Sequence, residues 1–429
     1  MAVKKVLIIT YYWPPSGGGG VQRWLKFVKF LRDFNWEPVV YTPSNPDFEL
    51  HDDDLLEDIP QNLTVIKRPI WEPFGLYRML FGKKAVQKQG VVGKSSNSFL
   101  SQIAIWVRGN YFIPDSRIFW VRPSVNYLSK YLKTHEIDVI ITTGPPHSIH
   151  LIGLELKKRF GIKWVADFRD PWSKWDVLDQ LKLNDRSRNS HRKLERMVLS
   201  TADQILTVSP SLKASLVELG AKRIDVITNG YDLDLDESDH SQPDKFRIAY
   251  AGLLTRGRNP GLLWQVLNEI ASEIPGFSND LEIYLAGTIE EDVIKSIEMY
   301  PEIRKTFSNN GYISHTEVID IYKKSAILLL VISNTDNASW ILPGKMFEYM
   351  ALRKPILSVG NAKSDASDVL KEAGYNPCFD YDDKQGMKAF ILFTYESYKN
   401  KEGSKDELKV EKYHRRELTK SLAACLDQL

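Results

Sequence analysis

Cysteine is nearly absent: there are two in 429 residues, Cys378 and Cys425. That is too few for a disulfide framework and suits a reducing compartment. Long apolar runs are missing too. The longest, residues 326–332, is far short of the ~20 residues that a bilayer crossing requires. Neither sign of charge is in excess, since 57 Lys and Arg meet 55 Asp and Glu for a net charge of +2. This excludes a chain built as a whole to hold a polyanion. The opening MAVKKVLIITYYWPP puts lysines ahead of an apolar run, but the run passes straight into Pro14-Pro15 and a glycine stretch with no small-residue cleavage site. It reads as a first strand and not as a secretory leader. What remains, 43% hydrophobic and 26% charged, is a globular composition with room for two domains of roughly 200 residues each.

What is present is an alternation of strands and helices. Residues 6–12 form a short β-rich run, followed by Pro14-Pro15-Ser16, the glycines Gly17 to Gly20, and a helical pattern at Val21, Trp24, Leu25, Val28 and Leu31. Strand, glycine loop and helix open a nucleotide-binding-like half. The run does not spell G-x-G-x-x-G, so a tight structural turn is an equal reading of it. Residues 37–42 give a second strand. Residues 67–122 differ in kind: ten Lys or Arg face two acids, Glu72 and Asp115, with aromatic residues interleaved. That composition suits a membrane-interface or anionic-acceptor surface, and equally a packed insertion with solvated lysines. Gly93-Lys94-Ser95 inside it lacks the upstream glycine of a phosphate-binding loop, since position 88 is lysine.

The alternation resumes with a strand at 138–142, the loop Thr143-Gly144-Pro145-Pro146-His147-Ser148 and a helix. A strand at 163–166 then runs into Asp167-Phe168-Arg169-Asp170-Pro171-Trp172. Polar clusters at the ends of successive strands are where open α/β sheets place their sites. His147 and His150 have no third ligand near them in sequence, so hydrogen bonding is the better reading than metal. Arg169 between two aspartates fits a structural ion-pair knot or a substrate contact. Strands at 204–208 and 225–228 close the first half at Asn229-Gly230-Tyr231-Asp232. The following DLDLDESDHSQPD reads as a linker, because its alternate acids lack the glycine that a calcium loop needs.

A second half opens with a strand at 246–252 and a polar loop holding Arg256 and Arg258, whose guanidinium groups suit phosphate. Strands follow at 281–286 and 326–332. The most informative stretch is ASWILPGKMFEYMALRKPIL, residues 338–357. Pro343 and Gly344 start a helix, Met346, Phe347, Met350 and Ala351 form its apolar face, and a strand resumes at Ile356. A helix opening at the end of a parallel sheet presents free N–H groups and a positive dipole end to an anion. Lys345 adds a full charge there, and Glu348 shares its face three residues on. A final amphipathic helix spans 418–429.

The glycine loop, NGYD before a linker, the arginine loop and PGKMFEYMALRKPIL, taken in that order, resemble the retaining glycosyltransferases of family four. The segments RGNYFIPDSRIFW, TTGPPHSIHLIG and WVADFRDPW bring the likeness closest to a bacterial branch associated with cell-surface polysaccharide assembly. The resemblance implies an α/β fold of GT-B type, two Rossmann-like domains facing across a cleft with the C-terminal helix returning to the first. It divides the chain into 1–233, the acceptor side carrying the 67–122 insertion, 234–404, the nucleotide-sugar side, and 405–429, the returning helix. Arg258 and Lys345 would bind the diphosphate at the helix start, Gly344, with Glu348 on the ribose. Tyr312 and Ile313 would lie by the base, and Gly18 and Gly19 would approach the donor. His147, Asp167, Arg169 and Asp170 would orient the acceptor or sugar. The family's first acidic residue of a glutamate pair would fall at position 340, which is Trp340 here, and Arg169 stands where many members have histidine.

The expected reaction is transfer from a nucleotide sugar, UDP- or GDP-linked in the first instance, to a glycan or lipid-linked acceptor, with neither metal nor cofactor. The expected place is the cytoplasm, with contact to the inner face of the membrane, and no nucleic acid is involved. Two other readings share the architecture: a nucleotide-sugar 2-epimerase, which needs no acceptor, and a non-catalytic sugar or nucleotide binder.

Overall fold

A computed structural model describes residues 3–47, 50–73, 99–175, 177–233, 243–401 and 407–429. The Gly93-Lys94-Ser95 segment and the acid-rich linker at 234–242 lie outside these residues, as does part of the basic, aromatic insertion. The chain forms two compact units, Met1–Thr228 with Arg415–Leu429, and Asn229–His414.

In the first unit the strands are β1 (Lys4–Ile9), β2 (Trp36–Pro43), β3 (Thr64–Arg68), β4 (Val139–Gly144), β5 (Lys163–Phe168), β6 (Gln204–Thr207) and β7 (Ile224–Val226). They make one sheet in the order β3-β2-β1-β4-β5-β6-β7, with every pairing parallel. β1 thus lies between β2 and β4, so the loops leaving β1 and β4 diverge at a topological switch point. One face of the sheet takes Val6, Ile8, Val40, Ile141, Val165 and Leu206 into a core that also holds Trp24, Val28 and Leu31. The helix Arg415–Asp427 adds Leu418, Leu422, Cys425 and Leu426 to the same core. That stripe, repeating every three to four residues, is why the end of the chain returns to the first unit.

The second unit has β8 (Phe246–Ala251), β9 (Leu281–Ala286), β10 (Phe307–Asn309), β11 (Ile327–Val331) and β12 (Ile356–Val359), ordered β10-β9-β8-β11-β12 and again parallel. Both faces are covered. Ala249, Ala251, Leu328 and Leu330 join one core, and Ile248, Tyr250, Ile327 and Leu329 the other. This follows the period-two alternation of a strand, and burial on both faces explains the near-continuous apolar runs. The fold is therefore the expected α/β pair of Rossmann-like domains. Two strands escape a reading by hydrophobic run. β3 is an edge strand whose residues stay largely exposed, and β10 has three residues with none buried.

Two details differ from the expected local structure. The first helix begins at Gly19, so only Gly17 and Gly18 belong to the loop after β1, and Gly18 carries the positive φ of 90° that calls for glycine. The residues 67–122 are split in character. Trp120 is buried and stacks on Tyr41 at 5.2 Å, whereas Trp71, Trp106, Tyr111 and Phe119 are exposed.

A buried ion pair locks the first sheet to its first helix. Arg23 meets Asp167 at 3.2 and 3.0 Å and donates also to the carbonyls of Ile227 and Thr228. Trp24 Nε1 and Thr143 Oγ1 donate to the same carboxylate at 2.7 and 2.9 Å. Asp167→Ala would leave a guanidinium buried without its counter-charge, and the expected loss is about 3–5 kcal/mol in urea unfolding monitored by tryptophan fluorescence. A loss below about 1 kcal/mol would show that water reaches Arg23.

Candidate functional site

At the switch point of the second unit, chemistry is concentrated between the loop after β8 and the helix Gly344–Ala351. That helix buries Met346, Phe347, Tyr349 and Met350, which leaves Gly344, Lys345 and Glu348 on its uncovered side. No side chain caps its N-terminus and its first turn has no acid, so its dipole end is unopposed. Lys345 Nζ lies 4.8 Å from the centre of the Tyr250 ring. Gly252, with φ of 140°, sits directly beside the ammonium, and a Cβ there would fall 1.9 Å from Nζ. Gly252 is thus a steric requirement for the lysine's position. Burial, against the pull of Glu348, lowers the Lys345 pKa to about 8, and Arg258 pushes the same way as burial. Arg258 donates to Ser333 Oγ at 2.7 Å. Among the described residues no carboxylate forms an ion pair with Lys345 or Arg258.

The neighbouring turn completes this group. Gly287 packs against the Gly252 backbone, where a Cβ would be 2.4 Å from the Gly252 carbonyl oxygen. Tyr312 is 93% exposed, and Ile313 packs on the core beneath it. His315 Nε2 lies 3.6 Å from Glu348 Oε1, which ties the 311–315 turn to the lysine-bearing helix. The structure therefore brings Arg258, Lys345 and Glu348 together, with Tyr312 and Ile313 alongside. Gly252, Gly287 and Ser333 belong to the same group and were not singled out by sequence. A glycine directly after each of two successive strands is the signal that could have found the first two. Trp340 is half-buried at the end of the short turn Asp336–Trp340.

Gly18, Gly19, His147, Asp167, Arg169 and Asp170 all belong to the first unit, at its own switch point. Asp167 is fully enclosed and its carboxylate accepts from Arg23, Trp24 and Thr143. It supports the site and contacts nothing outside the protein, which corrects the substrate-orienting role expected for it. Arg169 is a clamp: Nε, Nη1 and Nη2 donate to the carbonyls of Gly144, Gly20 and Pro145 at 3.2, 2.7 and 2.6 Å. It joins the start of the first helix, at Gly20, to the Gly144-Pro145 loop, so the ion-pair knot, one of the two readings of Arg169, is not what holds it. Asp170 is half-buried, and burial, opposed by Arg169, raises its pKa. Gly18 and Gly19 are exposed.

His147 and His150 sit under these loops among Phe168 and Trp172. The His147 ring stacks on Trp172 at 5.1 Å and the His150 ring on Phe168 at 4.5 Å. Thr142 Oγ1 accepts from Trp164 Nε1 at 2.9 Å and is 2.9 Å from His150 Nδ1. Among the described residues His150 Nε2 has no hydrogen-bond partner, and the Pro171 backbone opposes the effect of burial on His147. Burial drives the pKa of His147 well below its ordinary value and that of His150 to about 3. His191, which accepts from Trp172 Nε1 at 3.0 Å, is lowered to about 4 by burial. Gly144 is required here, since a Cβ would lie 2.6 Å from His150 Nε2.

The family described as Glycosyltransferase Family 4 matches residues 91–235. No curated protein matches the chain in sequence. Among solved structures, a sucrose-phosphate synthase from Thermosynechococcus elongatus is 14% identical with a TM-score of 0.55, covering 99% of this chain and 94% of its own. An E. coli structure titled trehalose-6-phosphate and bound with UDP-2-fluoro glucose is 11% identical with a TM-score of 0.58, over 99% of each chain. The UDP-GlcNAc 2-epimerase of Methanocaldococcus jannaschii is 12% identical with a TM-score of 0.52, over 99% of this chain and 100% of its own. At such identities the likeness establishes the fold, and that fold is the GT-B type.

The three buried histidines set a pH limit on the first unit. Their folded pKa values lie below the unfolded value near 6.5, so the stability they permit at neutral pH is lost as pH falls below 6.5. At pH 5, His150 and His191 should each remove about 2 kcal/mol. The raised pKa values of Asp170 and Glu195 act in the opposite sense, stabilising as pH falls towards the carboxylate range. Urea midpoints measured from pH 7 to pH 5 should therefore fall, and His150→Asn should flatten the slope. A midpoint that does not move with pH would show that the rings are hydrated.

Proposed function

We propose that the chain is a glycosyltransferase that moves a sugar from a nucleotide-sugar donor to a glycan or lipid-linked acceptor, with retention of configuration and without a metal. The observation that carries this reading is the pair of cations at the second switch point. Lys345 and Arg258 are held beside an uncapped helix N-terminus, with glycine backbone at Gly252 in place of a side chain. The family likeness over 91–235 supports it from the first unit. So does the GT-B fold shared with a sucrose-phosphate synthase and with a protein bound to UDP-2-fluoro glucose.

The chemistry follows from the charge. When the bond from the anomeric carbon to the diphosphate breaks, negative charge grows on the leaving group and positive charge on the sugar. Positive groups fixed in advance at the diphosphate lower that barrier most, because they need not reorganise as the bond breaks. Lys345, Arg258 and the helix dipole supply them. Glu348, three residues along the same face, reaches the ribose hydroxyls, and Tyr312 and Ile313 flank the base. UDP and GDP sugars are the donors to try first. On the acceptor side, Asp170 orients the acceptor hydroxyl and the departing phosphate oxygen takes its proton, while His147, with both ring nitrogens enclosed, supports the loop from beneath. Arg169 positions the two loops that carry these groups, and Gly18 and Gly19 leave the loop after β1 open to a close approach by the donor. The reaction belongs to the cytoplasm, where nucleotide sugars are made.

A thermal-shift screen against UDP-, GDP-, ADP- and CMP-sugars without metal tests the donor site. One nucleotide class should stabilise the protein by about 2.7 kcal/mol at a hundredfold excess over its dissociation constant. Lys345→Ala and Glu348→Ala should remove the shift. Gly252→Ala should do the same, because the new methyl group displaces Lys345. Equal shifts in all the variants would place the donor elsewhere. Turnover of the donor with acceptor absent would turn the reading towards the epimerase, and binding without turnover under any condition towards a non-catalytic binder.

The lysine also predicts the pH profile of binding. With its pKa near 8, Lys345 is charged below that value and neutral above it. Donor affinity should therefore be constant below about pH 7 and weaken by up to about tenfold by pH 9. Lys345→Arg should flatten that profile, and a wild-type profile flat to pH 9 would show that the ammonium makes no contact with the phosphates.

A further inference from the structure

The first unit exposes a row of aromatic side chains that neither sheet core uses. On the helix Phe99–Tyr111, Ile103 and Trp106 stand three residues apart and both are exposed. The Trp106 and Tyr111 rings meet at 5.8 Å. Phe112, the next residue, meets Phe119 at 5.8 Å, and Phe119 meets Trp71 at 4.8 Å. The row thus runs from Trp106 to Trp71, with Tyr111 71% and Trp71 58% exposed. Contiguous apolar exposure of this kind marks an interaction surface.

Within residues 67–122 the exposed charges beside the row are of one sign. Lys67 and Arg68 precede Trp71 by four and three residues, and Arg122 lies one helical turn beyond Phe119; all three are exposed. The two acids of the neighbourhood face inward. Glu72 accepts from Tyr11 at 2.9 Å and pairs with Arg117 at 3.0 Å. Asp115 accepts from the backbone and hydroxyl of Ser148 at 2.9 and 2.8 Å. With their carboxylates taken up inside the unit, the surface keeps cations and rings and no exposed carboxylate from this stretch.

We propose that this row is a docking surface for an anionic lipid bilayer. Tryptophan and tyrosine, with an apolar body and a polar tip, are favoured at the level of the headgroups, and lysine and arginine beside them gain from the negative surface potential. A glycan platform would need carboxylates or amides around the ring faces to bond sugar hydroxyls, and here the carboxylates point away. No helix among the described residues is long and apolar enough to cross a membrane, so the contact is interfacial. The proposal is independent of the transfer reaction. It would bring a lipid-linked acceptor to the unit that the transferase reading assigns to the acceptor.

The test is co-sedimentation of the full chain with vesicles of phosphatidylcholine alone or with about a third phosphatidylglycerol, at low and high salt. Binding is expected only to the anionic vesicles and should weaken at high salt. Brominated lipid should quench part of the tryptophan fluorescence, because Trp71 and Trp106 are exposed while Trp24, Trp36, Trp120, Trp164, Trp172 and Trp264 are fully buried. Trp106→Ser combined with Phe119→Ser should lower vesicle affinity about tenfold or more. Phe393→Ser, at a still more exposed position in the second unit, should leave it unchanged. The proposal is overturned if wild type ignores anionic vesicles, if Phe393→Ser is as damaging as the double variant, or if polygalacturonate binds the row and displaces the vesicles. The assay contains no nucleotide sugar, so its failure leaves the transfer reaction standing, and the failure of transfer leaves the docking surface standing.

Discussion

Everything at the second switch point depends on keeping a lysine charged where it is half-buried and unpaired. Burial alone favours the neutral amine, and the fall of the Lys345 pKa to about 8 records that pressure. Three features hold the charge in place. The Tyr250 ring face lies beneath the ammonium, Glu348 pulls on it from the same helix without closing an ion pair, and Gly252 leaves the space that a Cβ would fill. A carboxylate placed directly on Nζ would stabilise the lysine more, but it would also cancel the field that attracts an anion. The site is therefore less stable than it could be, which is a common condition of binding sites.

The first unit solves a different problem, that of carrying charge inside a sheet. Arg23 and Asp167 are both fully buried, and their pairing is tolerable because nearly every polar atom around it is matched: two backbone carbonyls for the guanidinium, an indole and a hydroxyl for the carboxylate. Arg169 likewise uses carbonyl oxygens in place of carboxylates. The result is a rigid floor under the loops that leave β1 and β4. The imidazole pair within it and the half-buried Asp170 have pKa values moved by burial towards the neutral form.

Much of this was legible in the sequence, for particular reasons. Doubly covered parallel strands show as apolar runs, so β8, β9, β11 and β12 were visible within a residue or two. The helix carrying Lys345 was visible because its apolar face repeats at helical spacing, and that face fixes which side Lys345 and Glu348 occupy. Edge strands do not bury enough to leave such a trace, and β3 and β10 were missed on that account. Long-range partners leave no local trace at all. Asp167 looks from sequence like a polar residue at a strand end, and only the approach of Arg23, 144 positions earlier, shows that it faces the core. The same blindness applied to the row from Trp106 to Trp71, whose composition suggested a surface or a core with equal force. Packing divided it, Trp120 inward and its neighbours outward.

The tryptophan at position 340 bears on how the two halves of donor recognition are divided. Holding a diphosphate needs positive charge and close backbone, and both are present around Lys345. Holding a sugar needs acceptors for its hydroxyls, and the resemblance would put a carboxylate at 340 for that purpose. An indole offers one N–H donor and an apolar face, with no acceptor to replace the carboxylate. It also adds no negative charge near the two cations. On the transferase reading, then, affinity for the donor comes chiefly from the nucleotide and its phosphates, and the choice among sugars falls to ring shape and to backbone groups of the 338–344 segment. This makes the nucleotide the part of the donor most firmly tied to the residues seen here, and the sugar the part most open to groups that the resemblance does not supply.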